Sequence, residues 1–138
     1  MVKVLIGEDE EYSAEIYRIS LRAKGHDVII TNDGEKSVKV FKHEFEQLRE
    51  KGQEKAFDVV ILDYAMPVID GVEAAKEILT INPHQRIIFA TARRKELLAE
   101  SAVRLGENTE VLEKPFLPNT LVGLLETPLK KGMKMPNQ

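Results

Sequence analysis

The chain contains no cysteine, which excludes a disulfide framework and any thiolate-ligated metal. It has no apolar run long enough to cross a bilayer and no signal-peptide pattern, so the expectation is a cytosolic protein without a membrane partner. A basic stripe is missing too. Lys and Arg number 20 against 23 Asp and Glu, a net charge of −3 at pH 7, and phosphate-backbone binding needs the opposite balance, so nucleic acid is not expected. Internal repeats and low-complexity linkers are absent, and the N-terminus runs directly into a strand-like segment.

What is present is a regular alternation. The 138 residues, 43% of them hydrophobic, suffice for one compact core with little room for a second. Short runs at Val2 to Ile6, Asp27 to Thr31, Val59 to Leu62, Arg86 to Ala90 and Glu110 to Leu112 read as strands, the one at Val59 to Leu62 as a strand buried on both faces, with helical periodicity between them. The first helix is marked by Tyr12, Ile16, Ile19 and Ala23 on one stripe and ends at Gly25. The second runs from about Glu35 to Glu50 with Val38, Phe41, Phe45 and Leu48 inward, and Lys51 to Lys55 leads out of it. The third carries Val72, Ala75 and Leu79 and stops at Asn82-Pro83. The fourth spans roughly Arg94 to Leu105, capped by Gly106. The fifth opens at Pro118, turns Leu121, Leu124 and Leu125 inward and is limited by Pro128. Alternating βα units predict an α/β fold, a doubly wound five-stranded parallel sheet in the flavodoxin-like order 2-1-3-4-5 with five helices. Residues 1–129 form that domain, and 130–138 read as a mobile basic tail.

In that order the first and third strands are neighbours, so the acids at their carboxyl ends, Glu8, Asp9 and Asp63, converge at the topological switch point where open α/β sheets bind ligands. Carboxylates gathered at one edge repel one another unless a cation is present, which suits a hard divalent metal, Mg²⁺ first and Mn²⁺ as the alternative. An aspartate beside such a metal can act as a nucleophile on phosphorus. The remaining strand ends supply the other parts: the hydroxyl of Thr91 and the ammonium of Lys114, each able to meet a phosphoryl oxygen. Taken singly, each residue has a plainer reading. A strand-end Asp is usually a helix cap or a solvated acid, Lys114 an ordinary surface lysine, and Asp70 an N-cap. Arg93, Arg94 and Lys95 read first as a solvated helix start, and second as a basic patch, opposed to the positive end of the helix dipole, that invites an acidic partner or a phosphate. His26, His43 and His84 are scattered, and none reads as a ligand or catalyst.

Glu8-Asp9, Asp63 with Met66-Pro67 and Asp70-Gly71, Thr91-Ala92 and Lys114-Pro115-Phe116, in that order, resemble the receiver domain of two-component response regulators over residues 2 to 127. The resemblance implies that a histidine kinase or histidine phosphotransfer protein donates a phosphoryl group to Asp63. It also implies that Glu8, Asp9 and the backbone carbonyl of Ala65 help hold Mg²⁺, that Lys114 pairs with the phosphoryl group, that Thr91 is the switch hydroxyl, and that the Lys114-Pro115 bond is cis. Three departures stand out. The first acid is Glu8 where the family more often has Asp. Val111 stands where many members carry the aromatic half of the switch. The segment from Asp33 to Asp58 is longer than usual, through extra turns on the second helix that offer a partner surface. No output domain fits in the tail, so the expectation is a stand-alone signalling module, a monomer or weak dimer, acting on an unidentified protein target through the fourth helix, fifth strand and fifth helix. The alternatives are a Mg²⁺-dependent phosphohydrolase with an aspartyl-phosphate intermediate, or an inactive pseudo-receiver scaffold. The first generally wants a second Asp two residues after the nucleophile, where this chain has Ala65.

Overall fold

A computed structural model describes residues 1–52, 56–92 and 95–127, with only the helical backbone described over 95–99. Gln53 to Lys55, Arg93, Arg94, Pro128 and the tail 130–138 lie outside the described residues. The order is β1 (Lys3–Gly7), α1 (Glu11–Arg22), β2 (Asp27–Thr31), α2 (Gly34–Glu50), β3 (Val59–Asp63), α3 (Gly71–Ile81), β4 (Ile87–Thr91), α4 (Lys95–Leu105), β5 (Thr109–Glu113) and α5 (Pro118–Glu126). The strands form one sheet in the order β2-β1-β3-β4-β5, every pair parallel. This is the predicted doubly wound fold.

Strand side chains alternate between faces, and the central strands are apolar at both parities. Leu5, Val60, Leu62, Ile87 and Phe89 pack with Phe41 of α2, Ala74, Ala75 and Ile78 of α3 and Ala102 of α4. Val4, Ile6, Val59, Ile61, Ile88 and Ala90 pack on the other face with Tyr17 and Leu21 of α1 and Leu121, Val122 and Leu125 of α5. Two layers of helices therefore hold the carboxyl ends of β1, β3, β4 and β5 in one row. Capping fixes the entries: the Glu10 carboxylate accepts from the N–H groups of Tyr12 and Ser13, and Asp70 from that of Glu73. Gly25 leaves α1 at φ +82°, the left-handed region open to glycine.

The first helix departs from expectation. Tyr12, Ile16 and Ile19 are exposed, and the buried stripe is Ala14, Tyr17 and Leu21. Both sets satisfy helical spacing, on opposite sides of the helix; periodicity fixes the spacing and leaves the phase to the packing partner.

One strained residue follows the third strand. Val68 has φ +73°, and across it the Ile69 N–H donates to the Pro67 carbonyl at 3.0 Å. A β-branched residue is disfavoured there by about 1–2 kcal/mol, and its side chain is largely exposed, so little packing offsets the strain. Val68→Gly is therefore expected to raise the thermal midpoint, by about 2–3 °C after the entropy of the more flexible unfolded chain is subtracted. A lower midpoint would show that the strain is illusory.

Candidate functional site

Each residue of the site stands on a strand end. Asp63 is the last residue of β3, Thr91 the last of β4, Lys114 the first after β5, and Glu8 and Asp9 the first two after β1. The register sets Gly7 of β1 beside Leu62 and Ala90 of β4 beside Asp63, so the sheet itself aligns the acids. Glu8 and Thr91 are buried, Asp63 and Lys114 half-buried, and Asp9 exposed.

Glu8, Asp9 and Asp63 each offer a carboxylate oxygen, and these oxygens lie within 4.8 Å of one another. Lys114 spans them. Its Nζ donates to Glu8 Oε1 at 2.7 Å and lies 3.7 Å from Asp63 Oδ1. The second Glu8 oxygen accepts from the Glu10 N–H at 3.2 Å. Lys114 thus rests on Glu8 more closely than on Asp63, a pairing that spacing in the chain did not reveal. Lys114 N–H also donates to the Thr91 carbonyl at 2.7 Å, which ties the ends of β4 and β5 together. The Lys114-Pro115 bond is cis. Ala65 lies in the loop two residues beyond Asp63. Val111 packs half-buried against the layer that contains Phe89 and Ala102.

Burial, then the charge on Glu8, pushes the Asp63 carboxyl up from 3.8 to about 6, against the opposing pull of Lys114. The folded protein thus holds a proton that the unfolded chain releases between about pH 4 and 6. Stability from this group falls as pH rises through that window, and the full penalty stands above it. Asp63→Asn is expected to melt higher than the parent at pH 7 without metal, by ~3 °C once the shift is discounted for solvent access to about 1 kcal/mol. The gap should close as pH approaches 4. Melts in a chelator across that range test this, and a gap that persists unchanged at pH 4 would contradict it.

The donor set fits a hard cation. It offers clustered carboxylate oxygens, one solvent-facing acid and no imidazole or thiol, the pattern that suits Mg²⁺, which keeps several waters and takes few protein ligands. Fold and site define a doubly wound α/β domain with an acidic, lysine-bridged sheet edge. A family model described as the response regulator receiver domain matches residues 4–126. The chain belongs to that family. It is 26% identical over 130 residues, 94% of its length, to the alkaline phosphatase synthesis transcriptional regulatory protein PhoP of Bacillus subtilis, and spans about half (49%) of that relative. Among solved structures it is similar to the chemotaxis protein CheY4 of Vibrio cholerae, with 27% identity, a TM-score of 0.73 and coverage of 91% of this chain and 97% of that one. It is equally similar in shape to the receiver domain of the sensor histidine kinase PA1611 of Pseudomonas aeruginosa, determined with a magnesium ion coordinated in the active site cleft (25% identity, TM-score 0.73, coverage 91% and 94%). Receiver domains bind Mg²⁺ at an acidic pocket and interact with histidine kinases or phosphotransfer proteins.

Proposed function

We propose that Asp63 accepts a phosphoryl group from a histidine kinase or histidine phosphotransfer protein and that the loaded domain, residues 1–129, signals by protein–protein interaction. The observation that carries this reading is the meeting of Glu8, Asp9 and Asp63 within 4.8 Å, with the Lys114 ammonium set against Glu8 and Asp63. With its pKa near 6, Asp63 is ionised at neutral pH and able to attack. A carboxylate oxygen forms the bond to phosphorus while the bond from phosphorus to the donor imidazole breaks, its electron pair returning to that nitrogen. Mg²⁺, or Mn²⁺ in its place, would be held by Glu8, Asp9, Asp63 and the Ala65 carbonyl, and would offset charge on the transferring group. Lys114 moves to a phosphoryl oxygen as a point charge, and the Thr91 hydroxyl donates to another.

The half-buried Val111 is short and stiff at χ1, so it cannot swing to follow Thr91. The backbone at the end of β4, Thr91 and Ala92, follows instead and alters the α4, β5 and α5 surface for a partner. Ala65 two residues past Asp63 leaves no second Asp to serve as acid/base, which favours this reading over a phosphohydrolase. Incubation with Mg²⁺ and a small acyl phosphate, followed by intact mass, tests it. Gain of one phosphoryl group is the expected result; steady release of phosphate from an external ester without a labelled protein would favour the hydrolase.

A further inference from the structure

Among the described residues, one buried side-chain polar atom has no hydrogen-bond partner: the phenolic oxygen of Tyr17. The residue is 4% exposed, and an unpaired hydroxyl at that depth is unfavourable. A phenylalanine would fill the same place without the loss, so the hydroxyl calls for a partner that arrives in another state of the protein.

Its surroundings say which. Side chains on a helix lean toward the helix N-terminus, and α1 begins two residues after Asp9, so the Tyr17 ring is carried toward the acidic edge. The ring packs on Phe116 at 6.0 Å, just past Lys114-Pro115. Tyr17 and Lys114 line a common groove of about 260 Å³ with Ser13 and Phe116. Burial, with the charges of Glu8 and Asp63, raises the Tyr17 pKa well above the ordinary phenol range, so the hydroxyl keeps its proton.

Lys114 has the complementary need. Its ammonium carries three donors and no acceptor, and its closest acceptor here is Glu8 at 2.7 Å. A phosphoryl group on Asp63 with a cation on Glu8 would draw the ammonium away, and its donors would need new acceptors. We propose that Tyr17 is a positioning residue for Lys114: its oxygen accepts a hydrogen bond from the ammonium when Lys114 leaves Glu8 for the phosphoryl group, and its proton points to the Glu8 carboxylate. The inference rests on Asp63 as the phosphoacceptor.

The test compares the full chain with Tyr17→Phe in two measurements. One is the rate of mass gain against the concentration of a small acyl phosphate in Mg²⁺. The other is the rise in thermal midpoint on adding Mg²⁺ and beryllofluoride, a phosphoryl mimic. Tyr17→Phe is expected to leave the metal-free midpoint equal or higher, since an unpaired hydroxyl is lost. The rate at saturating donor should fall about ten-fold, the effect of one hydrogen bond to a charged group, with the half-saturating concentration unchanged. The beryllofluoride rise should shrink, and should not shrink further when the substitution is added to Lys114→Met. A rate and a beryllofluoride rise equal to the parent's would overturn the inference alone. So would a lower metal-free midpoint with an undiminished beryllofluoride rise, which makes Tyr17 a packing residue. Failure of the parent chain to gain mass would instead remove Asp63 as acceptor, and the inference with it.

Discussion

Asp63→Asn is expected to take up no phosphoryl group from a small acyl phosphate in Mg²⁺, a loss of at least about 10³-fold in rate, because the amide has the shape of the carboxylate and none of its nucleophilicity. The substitution isolates chemistry from folding. It removes one of three carboxylates whose oxygens lie within 4.8 Å, so the variant should fold at least as well as the parent. Intact mass over a time course is the measurement. Labelling of the variant at the parental rate would move the acceptor to Glu8 or Asp9, both inside the same cluster, and would overturn the assignment.

Lys114→Met should produce the largest change in metal-free stability. The Glu8 side chain is 1% exposed and its Oε1 accepts from Lys114 Nζ at 2.7 Å. Truncating the cation leaves a buried carboxylate uncompensated, a loss of about 3 kcal/mol, while methionine keeps the apolar stem that lines the groove beside Tyr17. Mg²⁺ should restore much of the loss, since a divalent ion supplies the missing positive charge. The variant should also bind Mg²⁺ more tightly than the parent, because the ammonium no longer competes for Glu8. Thermal melts with and without Mg²⁺ decide the matter. An unchanged metal-free midpoint would mean that the pair contributes nothing, and a variant that Mg²⁺ fails to stabilise would mean that Glu8 is not among its ligands.

The sheet was legible in the sequence because strands buried on both faces are apolar at every position, and such runs at Val59 to Leu62 or Ile87 to Ala90 admit few other readings. Their ends then place Glu8, Asp9, Asp63, Thr91 and Lys114 on one edge once the strand order is known. The first helix was misread for a physical reason. Tyr12-Ile16-Ile19 and Ala14-Tyr17-Leu21 are both apolar at helical spacing, and only the sheet against which α1 packs selects between them. Two further features depend on distances that no local pattern encodes. The Glu8 carboxylate meets Lys114 Nζ at 2.7 Å, and the Tyr17 hydroxyl sits where it finds no partner; spacing alone leaves even the burial of Tyr17 open. The left-handed Val68 was hidden because valine carries no signal for that conformation.

The backbone around Asp63 is clamped. Gly71 N–H donates to the Tyr64 carbonyl at 2.8 Å, and a Cβ at Gly71 would meet the Asp63 carbonyl oxygen at 2.4 Å. The first turn of α3 is therefore seated on the peptide that follows Asp63. On the other side Tyr64 N–H reaches the Ala90 carbonyl at 3.4 Å. Displacing the end of β3 would unseat α3, whose Ala74, Ala75 and Ile78 are fully buried in the core. Asp63 thus stands as a rigid anvil: a group loaded onto it, as proposed, would act on the side chains and strand ends that face it rather than on its own strand.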